Sequence, residues 1–394
     1  MNNQNIHPTI AALEKRMIEF RRHLHQHPEL GFEEVETARY IIDQIKAVDL
    51  EIRHPVAKTG IVAHMHNGEG PCIALRADMD ALPIQETAEV PYKSVNDGVM
   101  HACGHDGHVA ILLGTLLALD RHRDAWQGTI KFIFQPAEEG EGGAEKMIAE
   151  GVLKNPDVAA IFGLHIWNYQ PVGIIGVQSG PVLASADSFE ISVRGTGGHG
   201  AVPQDTVDAV YVASQLVVSL QSIVSRNLDP LESGVVTIGQ ITGGDNFNII
   251  ADEVHLKGTT RAYREQDREL IKDRLQTICD GVATTYGATI DLHYRDSYPS
   301  TVNDPDMTEV VTRAAKRVAG DGVGKPFLSM GGEDMSFFLR EVPGCFFFLG
   351  SAKPEHEHAV VSHHNSRFDF NERALAAGAS VFMEIVHEML PAKS

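Results

Sequence analysis

Two short segments decide what this chain can become. TIKFIFQP (129–136) and VAAIFGLHI (158–166) are nearly continuous in apolar residues, which suits strands covered on both faces rather than strands with a wet side. Strand-like GIVAHMH (60–66) and CIALRADMD (72–80) precede them, and helical VAILLGTLLALDRH (109–122) and AEKMIAEGVL (144–153) fall between. Strands alternating with helices predict an α/β core around a mostly parallel sheet. Upstream, residues 8–48 read as helical, with Ile10, Leu13, Met17 and Phe20, then Ala38, Ile41, Ile42 and Ile45 at helical spacing. His27-Pro28 and Gly31 separate the two helical runs.

The pattern changes near Ser185. SFEISVRG (188–195) alternates apolar and polar residues, the mark of a sheet with one solvated face. A helix at about 205–225, strands 234–242 and 252–263, a helix at about 265–286 and strand 289–298 follow. The order β-α-β-β-α-β predicts a ferredoxin-like α+β domain inserted into the core. The expected organisation is therefore 1–184 as the first part of the core domain, 185–296 as the insertion and 297–394 as the second part.

Composition narrows the function. With 33 Lys+Arg against 53 Asp+Glu, the formal charge is −20, which argues against binding nucleic acid through its phosphates. No apolar run approaches the roughly 18–20 residues of a membrane span, so no membrane role is expected. The first residues lack a basic-then-apolar signal peptide. Cys72, Cys103, Cys279 and Cys345 are scattered, as in a reducing compartment rather than a disulfide scaffold, and a cytoplasmic enzyme acting on small molecules is the expectation.

The reactive residues cluster at matching places. CIALRADMD ends in Asp78 and Asp80, and MHACGHDGH (100–108) holds Cys103, His105, Asp106 and His108. Glu138 and Glu139 follow one apolar strand, His165 ends another, and His363 and His364 precede the last helix. Loops leaving the carboxyl ends of parallel strands converge on one crevice, so Asp80, Glu138, Glu139 and His165 should share it. Cys103 and His105, two apart, cannot lie on one helix face and must come from a loop. Thiolate, imidazole and carboxylate are ligands for divalent transition metals. Five or six candidates suggest two ions rather than one. Of two adjacent glutamates, one can bind metal while its neighbour accepts a proton. The plainer readings make His101 and His108 structural, Cys72, Cys279 and Cys345 core, and His356 and His358 part of a solvated loop.

GTGGHG (195–200) matches the dinucleotide fingerprint. Its strand alternates, however, and the chain is still helical about twenty residues on, where a ribose-binding acid should end a second strand. A tight turn, with glycines allowing positive φ and close packing, is the better reading, with His199 presented to a neighbouring site.

Together RRHLHQHPELGFEE, RADMDALPI, MHACGHDGHVA, FQPAEEGEGGA, GLHIW, GTGGHGAVP, FNIIADEVHLKGTTR, MGGEDMSFF and HHNSRFDFNE resemble the M20 metallopeptidase/amidohydrolase family, in its hippurate hydrolase-like branch of N-acyl-amino-acid amidohydrolases. The resemblance runs from residue 21 to about 372. It implies a di-metal catalytic domain with a smaller lid domain that dimerises, giving a homodimer or homotetramer. It further implies Cys103, His105, Glu139, His165 and His364 as ligands of two divalent ions (Zn, Mn or Co) and Glu138 as general base. Asp80 resembles the family's acidic residue beside the site. His199 resembles the lid residue that reaches a partner subunit's site, and Asn248 and Arg261 the pair that holds a substrate carboxylate. Of His363 and His364, counting back four residues from Phe368 favours His364. The implied reaction is hydrolysis of an N-acyl amino acid; the alternative is a dipeptidase or aminoacylase-type peptidase of the same family.

Overall fold

The computed structural model describes residues 5–353 and 361–392, so His356 and His358 lie outside the described residues. The chain divides into two compact units: Met1–Val182, Val302–Phe327 and Asp334–Ser394 form the larger, Leu183–Thr301 and Leu328–Glu333 the smaller. These joints differ from those expected at 184/185 and 296/297, and 328–333 belongs to the smaller unit. Hydrogen bonds explain that assignment: the Ala184 N–H donates to Gly331 O (3.0 Å) and the Tyr263 hydroxyl to Ser329 O (2.7 Å).

The larger unit is built on an eight-stranded sheet. Its order is Glu51–Val56, Gly60–Asn67, Gly128–Gln135, Cys72–Asp78, Val158–Pro171, Gly344–Ala352, Ile175–Gly176, Val323–Gly324. The four central strands run parallel, and every residue of Cys72–Asp78 and Gly128–Gln135 is buried, as two-sided coverage requires. Toward the Glu51 edge the pairing turns antiparallel. For the outer pair the reason is local: three residues between Val56 and Gly60 are too few for the crossover a parallel pair needs. Strand Val158–Pro171 is also longer than expected. His165 therefore lies inside it, paired with Phe348, and not at its end.

Helix His105–Arg121 is buried from His105 to Leu119. It packs against Pro8–Gln26 and Arg373–Met389, which accounts for an apolar run without a polar face. One large core, including Met17, Phe20, Leu112, Phe132, Phe162 and Phe382, holds these layers together.

The smaller unit has the expected β-α-β-β-α-β order. Its antiparallel sheet reads Gly234–Gly243, Glu253–Ala262, Ala186–Arg194, Thr289–Tyr298, the ferredoxin-like arrangement. Helices Ala209–Leu220 and Glu265–Tyr286 bury Leu216, Ile271 and Leu275 in a second core with Phe189, Ile191 and Val193.

Candidate active site and metal centre

Two neighbouring parallel strands deliver the acidic groups. Asp78 and Gln135 are in register at their ends, so Asp80 and the Glu138-Glu139 pair leave the sheet side by side. Gly104, at φ 95°, starts helix His105–Arg121. That positive φ suits glycine and puts Cys103 before the turn and His105 on the first helical position. The His105 Nδ1–H donates to Asp80 O (2.9 Å), with Asp80 Oδ1 at 3.2 Å. The His165 Nδ1–H donates to Ile166 O (2.7 Å). Each ring thus keeps its Nε2 lone pair for a cation, the usual orientation of a metal-binding histidine.

His165 Nε2 is 3.5 Å from Cys103 Sγ. Buried His105 Nε2 has no hydrogen-bond partner and lies 4.0 Å from Glu138 Oε2. Glu139 Oε1 is likewise buried without a hydrogen bond, with His364 Nε2 3.1 Å away. Three groups of potential ligand atoms overlap here: Cys103, His105 and His165; Cys103, Glu139 and His364; His105, Glu138 and Glu139, each gathered within 4.8 Å. His363 is turned elsewhere: its Nε2–H donates to Ile166 O (2.9 Å), its ring stacks on Tyr169, and burial pushes its pKa down to about 3. His108 has both nitrogens engaged, with Asp78 Oδ1 at 2.5 Å on one and the Ile166 N–H donating to the other at 2.8 Å. Burial holds His101 near pKa 4, hence uncharged.

Supporting residues lie just behind: Asp80, expected there from the sequence, and Glu34, Arg76, Asp334 and Arg21, to which sequence reasoning gives no role. Asp80 is a positioning group, one oxygen on His105 and the other accepting from the Glu139 N–H (3.0 Å). Glu34 accepts from the Ala137 N–H (2.9 Å) and the Thr59 hydroxyl (2.5 Å), bracing the left-handed turn at Ala137 (φ 53°) that precedes Glu138. Buried Arg76 pairs with Asp78 (2.7 Å) and Asp334 (2.8 Å). Glu138 Oε1 accepts from the Asp334 N–H at 3.4 Å. Arg21 donates to Asp106 (2.8 Å) and Asp369 (2.7 Å). Arg21, Glu34, Arg76 and Asp334 fall within segments that carry the family resemblance, but most of their partners are far apart in sequence and the segments do not say which residue pairs with which.

The electrostatics favour cations. Burial and the Glu139 and Glu138 carboxylates push the Cys103 thiol well above its ordinary pKa. Burial opposes charge on His105, but Asp78 and Asp80 lift it to about 10. The carboxylates hold protons where a metal would displace them.

In the smaller unit, Gly198-His199 pairs with Ile249-Ile250, and the Gly200 N–H donates to Asn248 O (2.8 Å). None of Gly195, Gly197, Gly198 or Gly200 has a positive φ; close backbone approach excludes larger side chains, a Cβ on Gly195 falling 2.0 Å from Val207 O. Exposed His199 accepts the Ala201 N–H at Nδ1 (3.0 Å), which leaves Nε2–H as donor in the neutral ring. Asn248 is exposed. Half-buried Arg261 spends Nη1 on Thr259, Thr260 O (2.9 Å) and Asp187 O (3.4 Å).

The family model for Peptidase family M20/M25/M40 matches residues 74–388. The chain belongs to family M20. An N-acetylcysteine deacetylase of Bacillus subtilis (strain 168) is 40% identical to this M20 chain over 376 residues, 95% of this chain and 97% of the relative. An IAA-amino acid hydrolase (ILR1-like 4) of Arabidopsis thaliana is 41% identical over 93% of this chain and 83% of its own length. The crystal structure of a Bacillus subtilis protein described as a dinuclear metal-binding peptidase of the M20 family superimposes with TM-score 0.84 at 35% identity, covering 97% of this chain and all of that one. The present chain is a metal-dependent M20 amidohydrolase/peptidase. Its donors fit a dinuclear centre, because two buried polar atoms, His105 Nε2 and Glu139 Oε1, make no hydrogen bond and face other donor atoms of the cluster, and Cys103 is common to two ligand groups.

Proposed function

We propose that the chain hydrolyses the amide bond of N-acyl amino acids, hippurate-like substrates among them, releasing a carboxylic acid and a free amino acid. The observation that carries this reading is a carboxylate, Glu138, whose Oε2 lies 4.0 Å from His105 Nε2 and whose neighbouring carboxylate, Glu139, is turned to His364. Cys103, His105, Glu139, His165 and His364 would hold two divalent ions. Such a pair supplies Lewis acidity to the amide carbonyl and makes water acidic enough to lose a proton near neutral pH.

Glu138 takes the proton from the attacking water and returns it to the leaving nitrogen. Its Asp334 N–H bond fixes Oε1 and leaves Oε2 on the His105 side. His199, with Nε2–H free to donate, would polarise the scissile carbonyl of a partner subunit's substrate. Arg261, backed by Asn248, would anchor the α-carboxylate; its Nη2 and Nε make no hydrogen bond among the described residues. A local cationic anchor matters in a chain of charge −20, whose overall field opposes an anionic substrate. Exposed Val210, Tyr211 and Val218 on helix Ala209–Leu220 support a homodimer or homotetramer formed through the lid. Four unpaired thiols support a cytoplasmic setting.

The test is a panel of N-acyl amino acids and free-amine dipeptides assayed with metal-reconstituted protein. Preference for acylated substrates is expected; faster cleavage of free-amine dipeptides would establish the peptidase alternative. Mixing His199→Ala with Glu138→Ala protein should regain activity in heterodimers, and no recovery would remove His199 from a partner's site.

A further inference from the structure

The large sheet carries a second constellation of metal-binding side chains, remote from the one just described. His64 and His66 project from the same face of strand Gly60–Asn67, since side chains alternate along a strand. Glu51 is the cross-strand partner of His64. Glu51 Oε2 lies 3.7 Å from His64 Nδ1 and 3.6 Å from His66 Nε2, and the three atoms gather within 4.8 Å.

We propose that Glu51, His64 and His66 form a structural site for a divalent transition ion of the zinc type. The 3.6 and 3.7 Å separations are too long for hydrogen bonds. They are a few tenths of an ångström beyond the ~3.3 Å between donors around a tetrahedral ion with bonds of about 2.0–2.1 Å. His64 is 9% exposed, and its buried Nδ1 has no hydrogen-bond partner, a cost that a bound cation removes. His66 is oriented from behind: its Nδ1–H donates to Thr129 Oγ1 (3.1 Å), leaving the Nε2 lone pair toward Glu51. Neighbouring cations donate to main-chain carbonyls, Arg123 to those of His66 (2.9 Å) and Asp49 (3.0 Å). Lys131 donates to Val152 O (2.9 Å) and Lys154 O (2.7 Å), and Arg53 to Glu150 O (2.9 Å).

Register separates this site from the catalytic cluster. His66 pairs with Thr129, at the start of the strand whose far end delivers Glu138. Six residues of strand put the two about 20 Å apart. An ion here would clip the sheet's edge strand, Glu51–Val56, to its neighbour and protect an edge otherwise open to pairing with another chain.

The experiment is equilibrium dialysis of tag-free protein against Zn²⁺, with metal per chain counted by mass spectrometry. Wild type should hold one ion more than His66→Gln and Glu51→Gln, both exposed substitutions that leave the core alone, or bind that ion at least about tenfold tighter. Hydrolytic activity should be unchanged in both variants. Added Zn²⁺ should raise the Tm of the wild type above that of either variant. Equal zinc content in all three proteins would overturn the site. So would a fall in zinc accompanied by loss of activity, which would place the lost ion in the catalytic cluster.

Discussion

Glu138 and Glu139 are consecutive, yet their surroundings give them different chemistry. Glu139 faces His364, while Glu138 hangs from the Asp334 amide. Replacing Glu138 with Gln should lower kcat at least about 100-fold, the scale of general acid–base catalysis, with metal content unchanged by mass spectrometry. Activity within a few-fold of wild type would remove the base assignment. A chelator should abolish turnover, and Zn²⁺, Mn²⁺ or Co²⁺ should restore it; full activity in demonstrably metal-free protein would end the metal reading. At this scale the sequence was informative about which groups meet: Cys103, His105, Glu138, Glu139 and His165, singled out as candidate donors, lie together, although His165 sits inside its strand and not at its end. Sequence reasoning gives Arg76, Asp334 and Glu34 no role. Their partners lie 258 residues away for Arg76–Asp334 and 103 for Glu34–Ala137, and an isolated Arg or Glu in a sequence carries no sign of burial.

Among the elements, helix His105–Arg121 matters most, because its first turn holds His105, one of the proposed metal donors. Its orientation is fixed from outside. Asp106, the next residue, is gripped by fully buried Arg21, and the same guanidinium reaches Asp369 near the final helix. The Tyr92 and Phe370 rings flank it, each 4.5 Å away. Arg21→Met would take the guanidinium from two buried carboxylates, leaving His25 (2.8 Å) on Asp106 and the Tyr92 hydroxyl (3.0 Å) and Lys353 on Asp369, and a loss of about 3 kcal/mol is expected in urea unfolding. A loss below about 1 kcal/mol would mean that the acids find other partners. Element identity was readable from periodicity; extent and direction were less so. Strand Val158–Pro171 outruns its apolar stretch because the ladder with Gly344–Ala352 continues past His165, and the antiparallel edge follows from a short connection that composition does not signal.

For the molecule as a whole, one buried acid ties stability to pH. Burial raises Glu34 from an ordinary 4.5 to about 7. A carboxyl raised on folding contributes its full stabilisation below its unfolded pKa and loses it as pH rises through the folded value. Over that window the group withdraws up to about 3 kcal/mol. Glu34→Gln, whose amide can accept from Ala137 and donate to Thr59, should flatten this fall. Urea melts of chelated protein at pH 5 and pH 7.5 give the comparison, and identical pH dependence in both proteins would clear Glu34 of the role. The division into two units has a consequence for how such a chain is made. Most of the insertion is one uninterrupted stretch, Leu183–Thr301, whereas helices Pro8–Gln26 and His105–Arg121 await Arg373–Met389. On the ribosome the middle of the protein can therefore mature while its beginning is still without the last layer of its core. A stalled nascent chain lacking the final helix should resist protease over the insertion and yield to it nearer the amino terminus.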